Sequence, residues 1–182
     1  MSRPRLIIVT GAPATGKTTL AVNLGSQLRL PVLSKDLIKE RLLESLDAES
    51  LRESQELGRA AFSVLFAVAQ EFLDLGVSLI LEAPFTHDAS ESDLSLLVER
   101  AAGVVIVCTA SPELVVHRYR VRAISNERHH GHMDQVRPEM DHALALDPPQ
   151  LGLPELRVNT SDGYQPTLQE VIGWLFQTST SH

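Results

Sequence analysis

Residues 6–20 read LIIVTGAPATGKTTL. An apolar run of strand length ends at a cluster of small residues, and a lysine and two threonines restart the chain. Gly11, Gly16, Lys17 and Thr18 complete the spacing G-x-x-x-x-G-K-[ST]. With only Ala12, Pro13, Ala14 and Thr15 between the glycines, backbone N–H groups are free to turn inward on phosphate oxygens. A helix opening near Lys17 adds the positive end of its dipole. Lys17 can reach the β- and γ-phosphates, the Thr18 hydroxyl can ligate Mg²⁺, and Thr19 can donate to a further phosphate oxygen. An ordinary strand-to-helix turn needs none of these fixed positions. Nucleotide phosphate binding is therefore the reading.

The remaining chain alternates strand and helix signals. Apolar runs recur at VSLIL (77–81), VVIVC (104–108) and ELRVN (155–159), with a weaker one at LPVLS (30–34). Helical segments separate them: KTTLAVNLGSQL, LIKERLLESL, a stretch from about Glu49 to Leu75, SESDLSLLVERAA, SPELVVHRYRVRAI and QPTLQEVIGWLF. In the long stretch Leu57, Ala61, Val64, Leu65, Val68 and Phe72 predict one buried face. Ser90, with Asp93 three residues on, predicts a helix start. Such alternation predicts parallel pairing, right-handed crossovers and a doubly wound α/β sheet. No repeat or low-complexity segment interrupts it, so one domain over 1–182 is expected, with a frayed polar tail from about 177 to 182.

The charge is −7, with acids and bases interspersed, which argues against an extended nucleic-acid surface. LIIV is too short for a secretory core, and no run approaches a membrane span, so a cytoplasmic protein is expected. Cys108, the single cysteine, lies within VVIVC and is expected to be buried and inert.

Two acids fall where strands end. Glu82 follows VSLIL, at the sheet edge where open α/β sheets bind ligands, and fits a Mg²⁺ ligand or a surface ion pair. Asp36, in SKDLIKE, fits a general base that accepts the proton of an attacking hydroxyl, or a helix N-cap. Lys39, three residues on, fits an acceptor contact or a partner for Asp36.

HRYRVRAISNERHHGHMDQ (117–135) is the other unusual segment. Arg118 and Arg122 share a helix face, and Arg128 follows after the chain turns polar. Arginines on a closing lid stabilise the charge spread over a migrating phosphoryl group; a solvated charged face is the plainer alternative. His129, His130 and His132 have no cysteine or paired acid to complete a zinc set, which leaves lid or acceptor contacts.

Together LIIVTGAPATGKTTL, SKDLIKE, LILEAPF, RVRAISNERHHGHMDQ and RVNTSDG resemble the P-loop kinase-like phosphotransferases, nearest the chloramphenicol-phosphotransferase and zeta-toxin type, with polynucleotide 5′-kinases as relatives. The resemblance implies a P-loop NTPase three-layer sandwich with a five-stranded parallel sheet of order 2-3-1-4-5. It implies ATP as donor, Asp36 as general base, and Arg122 and Arg128 on an arginine-rich lid at about 123–136. It also implies Thr160 and Ser161 beside the adenine. Asn159 stands where such enzymes commonly carry an Asp. Lys39 stands where polynucleotide kinases use an arginine on the acceptor phosphate, and a lysine lacks that bidentate fork. The acceptor pocket is expected from the long helix, the loop PFTHDAS and the lid, with Asp36, Lys39, Arg59, Phe85 and His87 as candidates.

The leading expectation is an ATP- and Mg-dependent kinase acting on a hydroxyl of a small molecule such as an antibiotic, nucleoside or sugar derivative. A 5′-hydroxyl polynucleotide kinase is the alternative enzyme, disfavoured by the acidic balance. A nucleotide-binding switch or ATPase without a small acceptor needs Lys17 and Thr18 but not Asp36.

Overall fold

The computed structural model describes residues 3–46, 50–124 and 146–178. Strands β1 (Arg5–Gly11), β2 (Val32–Ser34), β3 (Leu79–Glu82), β4 (Ala102–Thr109) and β5 (Glu155–Asn159) form one sheet in the order β2-β3-β1-β4-β5. Every pairing is parallel. The helices are α1 (Lys17–Leu28), α2 (Lys35–Leu46), α3 (Leu51–Asp74), α4 (His87–Val98), α5 (Pro112–Ile124) and α6 (Leu168–Thr178). The sheet order is the one the resemblance implies.

The sandwich follows from the two-residue period of a strand. On β1, Leu6 and Ile8 face a core shared with Leu65, Ala69 and Leu73 of α3 and Leu94 and Leu97 of α4. Ile7 and Val9 face the opposite core, made with Leu20, Ala21 and Leu24 of α1 and Val171 and Leu175 of α6. Burial on both faces is why these strands read as unbroken apolar runs. Among the described residues, no helix is long and apolar enough to cross a membrane.

Two local expectations are corrected. On α3, Val64 and Val68 are exposed, and the buried line runs through Ser54, Ala61, Leu65, Ala69 and Leu73, with Phe62 and Phe66 beside it. The predicted face mixed this seam with a neighbouring valine row. Helix α4 begins at His87, three residues before Ser90; the Ser90 hydroxyl instead accepts from the amide of the N-cap residue Thr86 at 3.4 Å. Helix α6 runs through Thr178, and residues 179–182 of the expected tail lie outside the described residues. On α3 the capping box is complete, with Ser50 and Glu53 exchanging side chain-to-backbone bonds.

The crossover order brings the carboxyl ends of β1, β2 and β3 together. Ser34 lies opposite Glu82, and Val9 lies opposite Glu82 on the other side. That edge carries the chemistry.

Candidate active site

The loop from Gly11 to Lys17 takes the shape its composition suggests. Gly11 and Gly16 have φ of +149° and +79°, and Ala14 enters the left-handed region at +64°. A Cβ on Gly11 would sit 2.5 Å from the Cys108 carbonyl oxygen and 2.7 Å from Thr15 Oγ1, so only glycine fits. Thr15 tightens the turn by donating its hydroxyl to the Ala12 carbonyl at 2.8 Å. Cys108 is buried behind the loop, its thiol pushed up to about 12 by burial, an inert packing residue.

A cavity of about 480 Å³ opens over this loop, lined by Ala14, Gly16, Lys17, Thr18, Thr19 and Thr160, with Gly163 and Tyr164. Pro13 is half-buried outside that lining. Thr160, buried after β5, donates its hydroxyl to the Thr15 carbonyl at 2.7 Å. The Ser161 hydroxyl accepts from the Ser111 amide at 2.9 Å, and Ser161 is not among the residues lining the cavity.

Arg118 is the residue that sequence reasoning passed over. From α5 it lines the same cavity, donating from Nη1 to Thr160 Oγ1 at 3.2 Å and from Nη2 to the Thr160 carbonyl at 2.9 Å. The signal was the four-residue spacing to Arg122, which marks a shared face but not where it points. Arg122 belongs to α5, while Arg128, His129, His130 and His132 lie outside the described residues.

Lys17 and Glu82 meet beneath the loop. Lys17 is 5% and Glu82 1% exposed, with Nζ 3.9 Å from Oε1. Glu82 Oε2 accepts from the Ser34 hydroxyl at 2.6 Å. Burial pushes the Glu82 carboxyl up, against the pull of Lys17 and of the Ser34 and Thr18 hydroxyls; the Asp36 charge pushes it further up. Oε1 is buried without a hydrogen-bond partner among the described residues. A buried carboxylate oxygen that has an ion-pair neighbour in Lys17 but no hydrogen bond keeps acceptor capacity, and beside Thr18 it suits a hard divalent cation. These residues fit Mg²⁺.

Asp36 lies in the first turn of α2 rather than at its cap. The cap role falls to Ser34, whose Oγ faces the Leu37 amide at 3.5 Å. Lys35 donates to Asp36 Oδ1 at 3.2 Å, and its ammonium lies 5.6 Å from the Phe62 ring centroid. The Asp36 side chain is 31% exposed.

The other candidates divide. Lys39 is sealed between α2 and α3 at 2% exposure, donating to Ser54 Oγ at 2.7 Å. Phe85 is fully buried, its ring centroid 6.0 Å from those of Phe62 and Phe66, and its carbonyl accepts from Thr10 Oγ1 at 3.0 Å. His87 bonds Glu91, which raises the pKa of the imidazole and lowers that of the carboxyl, and the Glu91 carboxylate also accepts from the Gln150 amide. Arg59 lines a second cavity between α3 and the loop after β3.

A sequence model of a family described as AAA domain matches residues 6–143. A crystal structure of a provisionally designated kinase from Chloroflexus aurantiacus J-10-fl is 34% identical, with a TM-score of 0.88 over 97% of this chain and 99% of that one. Chaetomium thermophilum Kti12, in complex with ADP-AlF3, superposes with a TM-score of 0.66 at 19% identity, covering 95% of this chain and 98% of that one. The Mycobacterium tuberculosis APS kinase CysC, in complex with AMPPNP and APS, gives 0.61 at 17% identity, covering 96% and 99%. At these last two identities the likeness is one of fold. A comparison with curated protein sequences found no match.

Proposed function

The chain belongs to this AAA domain family of P-loop kinase fold, and on that footing we propose that it is an ATP- and Mg-dependent phosphotransferase acting on a hydroxyl of a small molecule. The observation that carries the proposal is the half-exposed Asp36 carboxylate beside the phosphate loop, close enough to the buried Glu82 to act on its charge. The switch reading needs Lys17 and Thr18 but assigns no role to Asp36.

In the proposed reaction the loop amides, Lys17 and the α1 dipole orient the β- and γ-phosphates of ATP. Thr18 and Glu82 would hold Mg²⁺, which when bound neutralises charge on the phosphates. The acceptor oxygen forms a bond to the γ-phosphorus while the bond from that phosphorus to the β,γ-bridging oxygen breaks, and the electron pair leaves on ADP. Asp36 takes the hydroxyl proton. Arg118 supplies a fixed guanidinium at the nucleotide wall, and Arg122 and Arg128 are proposed as the lid cations of the same transfer. Thr160 and Tyr164, which line the same cavity, are proposed to border the base.

The test is a mass-spectrometric screen of hydroxyl-bearing compounds with ATP and Mg²⁺. Lys17→Ala is expected to abolish phosphorylated product. Asp36→Asn is expected to lower turnover at least a hundredfold while ADP affinity survives, within the range for a general base. Full turnover in Asp36→Asn would overturn the base assignment, and acceptor-independent ATP hydrolysis indifferent to that substitution would favour the switch reading.

A further inference from the structure

The cavity between α3 and α4 has a volume of about 560 Å³, within the range of small-molecule sites. Its lining sorts by chemistry. Phe62 and Phe66 form an aromatic wall, their ring centroids 6.0 Å apart and their planes 21° from parallel. Ser63 and Thr86 bring hydroxyls, and Arg59 and Asp93 bring one charge of each sign.

This wall connects to the transfer site. Lys35, bonded to Asp36, stands over Phe62, and the loop carrying Pro84 and Thr86 begins two residues after Glu82. Thr10, in β1, fixes that loop through the Phe85 carbonyl. The cavity is therefore held against the same sheet edge as the phosphate loop.

The charge distribution restricts what can occupy it. Among the described lining residues Arg59 is balanced by Asp93. Lys39 is sealed against Ser54, and Lys35 is committed to Asp36. Among the described residues, a phosphate, sulfate or carboxylate on the occupant would face Asp93 with only Arg59 in the lining to offset it. A flat apolar body, in contrast, has two stacked rings to lie on and hydroxyls to orient it. We propose that this cavity is the acceptor site and that the acceptor is an uncharged alcohol with an aromatic or alicyclic body, such as a nucleoside or aryl glycoside, rather than a phosphorylated or acidic sugar. The proposal rests on the phosphotransfer reading for the word acceptor, while the binding preference stands on the cavity alone.

The test uses matched pairs of equal body and unequal charge: 4-nitrophenyl β-D-glucoside against 4-nitrophenyl β-D-glucuronide, and thymidine against thymidine 5′-monophosphate. Each is titrated calorimetrically into the full chain saturated with ADP and Mg²⁺. At least one uncharged member is expected to bind, and to bind at least tenfold more tightly than its anionic twin. Ser63→Trp on one wall and Ala89→Trp on the other, both at exposed positions, are expected to weaken that binding at least tenfold and leave ADP affinity unchanged. Retained ADP binding reports that each variant has folded. Equal or tighter binding of the anionic twin, no binding by either uncharged compound, or insensitivity to both tryptophans would overturn the proposal. A bound compound that yields no phosphorylated product with ATP would count against the phosphotransfer reading while leaving the binding preference intact.

Discussion

Thr160 holds two partners through one hydroxyl: it donates to the Thr15 carbonyl and accepts from Arg118. The phosphate loop and the arginine are thus fixed to each other by a residue that does no chemistry itself. Thr160→Val keeps the shape and removes both bonds, each of which contributes about 1 kcal/mol, or more where the partner is charged. Nucleotide affinity is expected to fall roughly tenfold in Thr160→Val and to stay near wild type in Thr160→Ser, as read by ADP titration. At this scale the phosphate loop was legible because backbone geometry dictates composition: a Cβ at Gly11 has nowhere to go. Arg118 was not legible, since its role depends on where α5 points relative to a segment 42 residues later. Asp36 was legible as an acid near the phosphates, but the capping role assigned to it as an alternative belongs to Ser34.

Helix α3 forms one wall of the second cavity and packs its other side into the core, so its rotation about its own axis matters. Leu65 is fully buried beside Leu6 and Ile8, whereas Val64 is 43% exposed. Leu65→Ala is expected to cost about 2–5 kcal/mol through lost packing and a cavity. Val64→Ala is expected to stay within about 0.5 kcal/mol. Urea denaturation of the two variants reads the difference directly, and equal losses would mean that the helix is rotated from the described seam. The sequence alone could not choose, because apolar residues at 61, 64, 65 and 68 satisfy two overlapping helical rows. Phe62 and Phe66 decide it by reaching Phe85, a contact across 19 residues or more that periodicity does not contain. The same limit hid the burial of Lys39, whose partner Ser54 lies on a different helix.

Across the molecule, Asp36 acts on the charge of Glu82 and bonds Lys35, whose ammonium stands over Phe62 in the wall of the second cavity. The alternation of strands and helices was enough to predict a parallel sheet, but its order came from the family resemblance, since crossover rules alone allow other windings. Burying Lys17 and Glu82 beneath the loop leaves a carboxylate oxygen without a hydrogen bond among the described residues, so the folded state gains from whatever neutralises it. ADP with Mg²⁺ at a hundred times its Kd is expected to stabilise the chain by about 2.7 kcal/mol. That gain should vanish in Lys17→Ala and shrink when the metal is chelated, as followed by thermal denaturation. The bond from Thr160 to Thr15 spans 145 residues. During synthesis the glycine loop leaves the ribosome before β5, and the hydroxyl that braces it arrives only after β5 has been made. A nascent chain that has not reached residue 160 carries the cradle without its brace, so high-affinity capture of nucleotide is deferred until β5 and Thr160 have been made.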